Sequence, residues 1–252
     1  MKKLVVGATL LALMGSTAFA ADLNVALQDD PDILDPHRGN TFVGRMVFGP
    51  MCDTLFDIDT SLNIVPRLVA DWTWSEGDTV LTMNLREDAL FHDGTPVNGE
   101  AVKANLERAL NLPESNRKAE LASIASIEVL GETQVAITLK APDAAFLANL
   151  TDRAGMMVSP ATFDTAGEGG LVCAGPYKFV ERIQNDRIVM EKFAEHWDAD
   201  NYHFDQVIYR PIPDTTVRLA NLQSGDLDII ERPAPSAMET IKADSNLAFD
   251  IV

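Results

Sequence analysis

Short stretches that alternate apolar and polar residues, each followed by a tight-turn signal, constrain the fold of this chain more than any other feature. Residues 71–86 show the pattern, with Trp72 and Trp74 on one face of the first strand and an alternating second strand after the turn. Two more hairpins of this kind are predicted at residues 124–139 and 177–193. Because hairpins join neighbouring antiparallel strands, the chain is expected to build β-sheets.

Two helices are predicted from their capping residues. Asn98 has the side chain of an N-cap, and the apolar residues after it repeat at helical spacing to about Leu110. Asp214 is expected to cap a second helix that ends at Ser224–Gly225, and the apolar strand Leu227–Ile230 follows. A strand–helix–strand unit combined with hairpins predicts the α/β class, with mixed sheets in at least two lobes.

Further segments carry predictions of their own. Asp22–Gln28 and Phe204–Tyr209 have the composition of strands. Phe42–Phe56 is mostly apolar and long enough for a helix, although Gly49–Pro50 is expected to kink or break it. Leu247–Val252 has the pattern of the start of another strand. Because that segment stops abruptly on apolar residues, the sequence is expected to be a truncated chain.

The first twenty residues have the features of a secretory signal peptide. Lys2 and Lys3 precede a short apolar run, Leu4–Met14, and Ala18–Ala20 forms a small-x-small cleavage site. The run is too short to span a bilayer, which requires about 20 apolar residues. Export to the periplasm with cleavage after Ala20 is therefore predicted, and a short N-terminal membrane anchor is the alternative.

The charge of the chain excludes two classes of partner. The formal net charge is −18, from 38 acidic and 20 basic residues. An acidic surface of this size repels nucleic acid and anionic lipid, so neither is expected to bind. After the signal segment, no apolar stretch is long enough to cross a membrane, so a soluble exported protein is expected.

The sequence contains two cysteines, Cys52 and Cys173. In an oxidising compartment the two residues can form one disulfide. Two buried free thiols are the alternative, because free cysteine is commonly buried. Sequence alone does not give the distance between their Cα atoms, so both interpretations stay open.

The histidines show no spacing that is typical of a metal site. They are His37, His92, His196 and His203. The nearest approach to a ligand set is His196–Asp198 with His203–Asp205, but metal sites usually have tighter ligand spacing, so this pattern is interpreted as solvated loop residues. The sequence also lacks a phosphate-binding loop, a dinucleotide fingerprint and a nucleophile elbow. No cofactor and no metal are therefore predicted.

Asp226 and Asp228 are the one carboxylate pair that suggests an enzyme. On a strand, their two-residue spacing would point both side chains the same way, which could mimic the carboxylate pair of a secreted hydrolase. A helix stop and a turn before a strand is the alternative, and the prediction is that the protein is not an enzyme. Trp72, Trp74 and Trp197 offer surfaces for ligand stacking, although such residues are more typical of packing.

Four blocks of sequence resemble the extracellular solute-binding proteins of family 5, the peptide- and nickel-binding proteins of ABC importers. The most specific block is Leu85–Val102, with the sequence LREDALFHDGTPVNGEAV. In the right order, Pro31–His37 resembles the opening loop of the family, Cys173–Phe179 its Gly-Pro-Tyr block and Arg218–Asp228 its helix-to-strand element. One departure is the pair Cys173–Ala174 at the start of the Gly-Pro-Tyr block, where many relatives carry Gly-Thr.

The resemblance implies a fold similar to the type 2 periplasmic binding proteins, with a ligand cleft between two lobes. Residues 21–44 and 171–252 would build part of ligand-binding lobe I, and residues 45–170 would form the extra α/β domain of the family. Since family members are about twice this length, the C-terminal ligand-closing lobe is expected to be absent. Lobe I would then have an exposed sheet edge and an uncovered apolar face.

The resemblance also implies where a ligand would lie. Peptides bound as an added strand are held through backbone hydrogen bonds, with charges that fix their ends. By position, Asn40, Thr41 and Phe42 would offer backbone contacts to such a ligand. Glu231 and Arg232 follow a predicted strand and would meet a ligand terminus in the cleft. Ordinary solvated loop residues are the alternative for both groups.

The implied function is the capture of peptides or similar small solutes by closure of two lobes in the periplasm. The closed form would dock on the ABC permease subunits in the inner membrane, and the protein is expected to be a monomer. Chelated nickel, a sugar or an opine are the alternative ligands within the family.

Overall fold

The structure, a computed structural model, describes residues 21–75, 77–168 and 170–250. The predicted signal peptide and its cleavage after Ala20 lie outside the described residues. The strands are β1 (Asp22–Leu27), β2 (Phe56–Ile58), β3 (Ile64–Pro66), β4 (Val69–Trp74), β5 (Val80–Leu85), β6 (Ile124–Gly131), β7 (Gln134–Leu139), β8 (Tyr177–Ile183), β9 (Arg187–Lys192), β10 (Gln206–Pro211) and β11 (Ile229–Ile230). The helices are α1 (Phe42–Met51), α2 (Gly99–Asn111), α3 (Phe146–Asn149), α4 (Thr215–Ser224) and α5 (Met238–Ala243). Among these residues, no helix combines the length and the apolarity that crossing a membrane requires.

The larger sheet has five strands in the order β11–β1–β10–β9–β8. Strand β1 runs parallel to both β10 and β11, whereas β9 and β8 follow in antiparallel orientation. Helix α4 connects β10 to β11 across β1, so the three parallel strands end at the same edge of the sheet. This is the mixed sheet of the α/β fold that the sequence predicts.

The second sheet has four strands in the order β4–β5–β7–β6 and is antiparallel throughout. Strand β4 pairs with β5, and β6 pairs with β7, which confirms the hairpins predicted at residues 71–86 and 124–139. The β8–β9 pair confirms the hairpin predicted at residues 177–193. Asn98 caps α2 as predicted, because its side chain accepts a hydrogen bond from the N–H of Ala101 at 2.9 Å.

Buried apolar side chains form two clusters. The first includes residues of the four-stranded sheet and α2 and draws on residues 55–157, together with Ala174. The second includes residues of the five-stranded sheet and α1 and draws on residues 25–52 and 156–209. Helix α1 spans the expected boundary at Arg45, and its buried face packs in the second cluster. The division into lobe I and an extra domain stays a prediction.

Helix α1 continues through Gly49–Pro50 and ends at Met51. The prediction of a helix up to Phe56, kinked or broken at the proline, was therefore wrong, because Phe56 opens β2. Proline has no N–H to donate to the carbonyl of the residue four positions earlier, which is Met46. The hydroxyl of Tyr209 donates to that carbonyl instead, at 3.2 Å, so the helix keeps its last turn without an unpaired acceptor.

Cys52 and Cys173 form a disulfide, with their Cα atoms 4.9 Å apart. Cys52 follows the last residue of α1, and Cys173 opens the Gly-Pro-Tyr block. Both side chains are buried in the second cluster. The structure therefore decides between the two interpretations that the sequence left open.

Two predicted strands differ in the structure. Strand β10 begins at Gln206 rather than at Phe204, because Gln206 pairs with Asp22, the first residue of its partner strand β1. Residues 247–250 form no strand, so the strand predicted there was wrong for these residues. Residues 251–252 lie outside the described part of the chain.

Strand β11 forms one margin of the five-stranded sheet, and no strand of the described residues pairs with its outer side. Its Ile229 is 47% exposed, and Val217 of the neighbouring α4 is 48% exposed. Within α4 only Arg218 is buried. In the described part of the chain, β11 is thus an exposed sheet edge, with partly exposed apolar side chains on this strand and on α4.

Candidate functional site

The loops that follow the three parallel strands meet at one edge of the five-stranded sheet. We call this region the carboxyl edge: it comprises residues 28–42, residues 212–214 and residues 231–232. The N-terminal ends of α1 and α4 lie in or beside these segments. In open α/β sheets, ligands bind outside the carboxyl ends of the strands, so this edge is the candidate site. It contains each residue that the sequence predicts to bind a ligand.

Asp32 organises the loop that leads into α1. Its carboxylate accepts the N–H of Asn40 at 2.9 Å and the hydroxyl of Thr41 at 3.0 Å. The Oγ1 atom of Thr41 in turn accepts the N–H of Gly44 at 3.1 Å and so caps α1. Burial opposes ionisation of Asp32, but these hydrogen bonds outweigh it and hold the pKa of the carboxyl below its ordinary value. A carboxylate therefore already lies at the positive end of α1.

Glu231 follows β11 directly and is buried, with 9% of its surface exposed. One carboxylate oxygen, Oε1, accepts the N–H of Gln28 at 2.7 Å, at the end of the neighbouring strand β1. The backbone N–H of Glu231 donates to the carbonyl of Ala26 at 3.3 Å. The other oxygen, Oε2, is covered and accepts no hydrogen bond from the described residues. Glu231 therefore joins β1 and β11 at the carboxyl edge.

Arg218 of α4 holds the chain at the carboxyl edge, and sequence reasoning gave it no role there. Its guanidinium donates to the carbonyls of Ile212 and Pro213 at 2.6 and 3.0 Å, and to the carbonyl of Arg232 at 3.2 Å. The residue is only 1% exposed. The signal in the sequence was a lone arginine at a core-facing position of a predicted helix, but its acceptors are backbone carbonyls, which no side-chain pattern shows.

Phe42 and Arg232 come together although 190 positions separate them in the chain. The guanidinium carbon of Arg232 lies 4.5 Å from the centre of the Phe42 ring. Phe42 is 45% exposed, and Arg232 is exposed as well. Arg232 has φ of 45°, in the left-handed region that favours glycine. The two predicted groups of ligand-binding residues therefore share one surface, and their role in binding stays a prediction.

His196 and Trp197 belong to a packed network around Asp53, away from the carboxyl edge. The carboxylate of Asp53 accepts from His196 Nε2 at 2.9 Å, from Trp197 Nε1 at 2.9 Å and from Arg67 at 2.7 Å. Burial opposes ionisation of Asp53, but the hydrogen bond from His196 and the charge of Arg67 hold the pKa of its carboxyl below the ordinary value. Arg86 covers the Trp197 ring at 3.8 Å, so this ring is packed. No group of His, Cys, Asp or Glu in the described residues has the arrangement of a metal site.

His37 and His92 are the other two histidines, and both are held by hydrogen bonds. Arg108 donates to His37 Nδ1 at 2.9 Å while its other nitrogen binds Asp35 at 2.7 Å. His92 lies beside the disulfide loop, where Nδ1 accepts the N–H of Cys173 at 3.3 Å. Burial lowers the pKa of each histidine to about 4. Both imidazoles are therefore neutral at pH 7.

Asp226 and Asp228 do not form an acid–base pair. Asp228 accepts the N–H of Asn24 at 2.8 Å, and Asp226 accepts the hydroxyl of Ser224 at 2.7 Å. Gly225 has φ of 83° and ends α4, as predicted. The segment is therefore a helix stop and a turn that leads into β11, which favours the structural interpretation over the hydrolase.

A cavity of about 420 Å³ lies at the far end of α1, away from the carboxyl edge. Its lining includes Gly49, Pro50, Arg45, Arg67 and Tyr202. The charged groups there are already paired, since Arg45 contacts Asp152 at 3.0 Å and Arg67 contacts Asp53 at 2.7 Å. This cavity therefore offers a ligand fewer unpaired charges than the carboxyl edge.

Comparison with known proteins identifies the family to which this chain is similar. Residues 63–251 match the family model of the bacterial extracellular solute-binding proteins, family 5 middle region. The glutathione-binding protein GsiB of Escherichia coli (strain K12) is 36% identical over 220 residues, which cover 85% of this chain and 43% of GsiB. The chain thus spans less than half the length of this curated relative.

Solved structures agree with the sequence relatives. The binding protein AgaA of A. tumefaciens R10, in complex with agropinic acid, has a TM-score of 0.84 and 30% identity, over 89% of this chain and 46% of AgaA. A nickel ABC transporter protein from Bacillus halodurans has a TM-score of 0.79 and 28% identity, over 89% of this chain and 46% of that protein. The chain belongs to the bacterial extracellular solute-binding proteins of family 5.

Proposed function

We propose that this protein is the solute-binding component of an ABC importer and that it captures peptides or similar small solutes by closure of two lobes. It acts in the periplasm after cleavage of the signal peptide behind Ala20, and it delivers its ligand to permease subunits in the inner membrane. It works as a monomer and catalyses no reaction. Family membership supports the class of function, and the relatives' names support the class of ligand, since GsiB is a glutathione-binding protein and AgaA holds agropinic acid.

The carboxyl edge is the observation on which the proposal rests. Three parallel strands end there, and their loops bring Phe42, Glu231 and Arg232 together. Asn40 and Thr41 precede α1 on the same loop. We propose that these five residues form the lobe I surface of the ligand cleft, which a second lobe would close.

The proposed domain division corresponds to the two buried clusters except at residues 47–52 and 156–158, which pack in the second cluster. Residues 21–44 and 171–252 would belong to lobe I, and residues 45–170 would form the extra domain. The support is that one cluster draws mainly on residues 55–157, while the other includes the five-stranded sheet. The disulfide joins two cysteines near which, in this division, the chain would leave and re-enter lobe I.

Chelated nickel is the second candidate ligand, since a nickel transporter protein is among the structural relatives. The carboxyl edge offers no histidine or cysteine cluster in its described residues, so such a ligand would be recognised through its organic chelator. A sugar or an opine remains a third class of ligand, and the agropinic acid complex of AgaA supports small organic acids of this kind.

The first prediction tests this site by nuclear magnetic resonance, which detects weak binding. Nitrogen-15-labelled protein is titrated with trialanine, reduced glutathione and a nickel–histidine chelate. We expect at least one solute to shift the amide signals of residues 28–42 and 231–232, because these residues line the proposed cleft. Phe42→Ala should weaken that binding about tenfold, since it removes an exposed aromatic contact.

The matched control is Phe204→Ala, because Phe204 is also a partly exposed phenylalanine, at 38%, but lies outside the carboxyl edge. This variant should bind as the wild type does. Signal shifts that cluster on the four-stranded sheet, or no shift with any of the three solutes, would contradict the proposed function.

A further inference from the structure

We propose that Arg232 is a carboxylate clamp, so that the solute meets the carboxyl edge through an anionic carboxylate group. The proposal deepens the proposed function and rests on it, because it assigns a chemical class to the ligand of that same edge. The evidence for the proposal is the set of contacts that Arg232 makes with the described residues. These contacts differ from those of every other arginine in the described part of the chain.

Arg232 has neither an ion pair nor a side-chain hydrogen bond with the described residues, and its recorded side-chain contact is the Phe42 ring. Every other arginine of the described residues forms an ion pair or donates to a backbone or amide oxygen. These are Arg38, Arg45, Arg67, Arg86, Arg108, Arg117, Arg153, Arg182, Arg187, Arg210 and Arg218. In a chain with 38 acidic and 20 basic residues, an arginine without an ion-pair partner among the described residues is a selective feature.

The contact with Phe42 restricts Arg232 and leaves its donors free. A guanidinium that stacks on an aromatic ring uses its face, while its five N–H donors point outwards in the plane of the group. The fork of two parallel N–H groups matches the two oxygens of a carboxylate. Because the side chain is already restricted on Phe42, it loses less conformational entropy when a ligand binds.

The backbone of Arg232 is also fixed. Its φ of 45° is unfavourable for a residue with a side chain, and Arg218 holds its carbonyl at 3.2 Å. Arg218 is buried and anchored to two further carbonyls, those of Ile212 and Pro213. The turn is therefore held in one conformation that presents the Arg232 side chain beside Phe42.

The two neighbouring charges leave Arg232 available for a ligand. Glu231 and Arg218 are both buried, and neither forms a direct ion pair with the described residues. Arg218 binds the carbonyl of Arg232, and Glu231 binds the N–H of Gln28, so both side chains are occupied by backbone groups and not by Arg232. Of these three residues, Arg232 is the exposed one whose side chain forms no ion pair or hydrogen bond with the described residues, and its natural complement is an anion.

The second prediction compares acids with their amides. Trialanine and reduced glutathione are titrated against nitrogen-15-labelled protein, each beside the same molecule with carboxamides in place of its carboxylates. We expect the wild type to bind the acid of at least one pair about tenfold more tightly than the amide, since a charge-assisted bidentate contact is lost. The Nε–H signal of Arg232 should shift with the acid alone.

In Arg232→Gln the preference for the acid should fall to within about twofold, while binding of the amide is unchanged. The matched control is Arg86→Gln, because Arg86 also covers an aromatic ring but lies outside the carboxyl edge. It should keep the wild-type preference. An equal preference in wild type and Arg232→Gln overturns the clamp and leaves the proposed function standing. Binding of neither acid nor amide by the wild type overturns both.

Discussion

At the scale of single residues, Arg232 combines an unfavourable backbone conformation with a proposed role in ligand binding. Its positive φ costs about 1 kcal/mol relative to glycine, because the side chain approaches the following carbonyl. Glycine would fit the turn better but has no charge and no contact with Phe42. A strained, exposed residue at a strand end whose charge has no ion-pair partner among the described residues is the pattern from which a binding role is inferred.

The third prediction separates strain from binding. Arg232→Gly and Arg232→Gln both remove the stack on Phe42, so they differ mainly in backbone strain at φ of 45°. The glycine variant should have a free energy of unfolding about 1 kcal/mol higher than the glutamine variant. Urea denaturation measures the difference. Equal stability of the two variants would show that the turn relaxes and that the arginine conformation is not strained.

The sequence predicts single residues well where their role is local. Asn98 and Asp214 cap helices because their side chains bind N–H groups only two or three positions later. Arg218 could not be assigned in the same way. One of its acceptors, the Arg232 carbonyl, comes close only after β10, α4 and β11 have folded together.

At the scale of elements, the hairpins and helices follow from local patterns, but their assembly does not. The three hairpins were predictable because each pairs neighbouring strands across a short turn. The parallel pairs of β1 with β10 and β11 join residues about 180 to 200 positions apart, and no periodicity specifies such partners. The carboxyl edge depends on those pairs, so the resemblance to a family was needed to propose a site there.

Helix α1 and the disulfide show how one long-range contact stabilises an element. The disulfide links the end of α1 to the Gly-Pro-Tyr block, with a sequence separation of 121 residues. Closing a loop of this size lowers the entropy of the unfolded chain. Because both cysteines are buried, the bond also lies within the second cluster.

The fourth prediction concerns this disulfide. The double variant Cys52→Ala, Cys173→Ala should lose about 3 to 5 kcal/mol of the free energy of unfolding, since the unfolded chain regains its loop entropy. Urea denaturation of the variant and of oxidised wild type measures the loss. Wild type that is unfolded and reduced before refolding is the control and should match the variant. An unchanged denaturation midpoint in the variant would argue against a stabilising bond.

At the scale of the whole molecule, the buried His37 and the half-buried His92 form hydrogen bonds that link the two clusters. His37 lies on the loop after β1 and accepts from Arg108 of α2, at 2.9 Å. His92 lies in the turn before α2 and contacts Gly175 at 2.9 Å. Since the pKa of each is lowered to about 4, both rings are neutral in the folded state and take up protons on unfolding below pH 6.5.

The fifth prediction is a loss of stability in mild acid. Between pH 6.5 and about 4 the unfolded chain binds these two protons and the folded chain does not, so stability falls as the pH falls. The slope should approach about 1.4 kcal/mol per pH unit for each histidine. Urea denaturation from pH 7.5 to 4.5 measures it. The variant His37→Gln should reduce the slope by about half, because one of the two groups is removed.

The control for this slope is His203→Gln, because His203 is exposed and should not contribute. A free energy of unfolding that stays constant from pH 6.5 to 5 would refute a role of His37 and His92. The carboxyls of Asp35 and Asp53 also have lowered pKa values, because hydrogen bonds from Arg108 and His196 outweigh burial. Their contribution is lost only at still lower pH.

Cys52 and Cys173 lie so close together that a short linker could replace the segment between them. Their Cα atoms are 4.9 Å apart, so a linker of one or two residues would bridge the gap between them. The segment between the two cysteines, residues 53–172, therefore leaves and returns at nearly the same point. Insertions within its surface loops need not displace the strands of the five-stranded sheet.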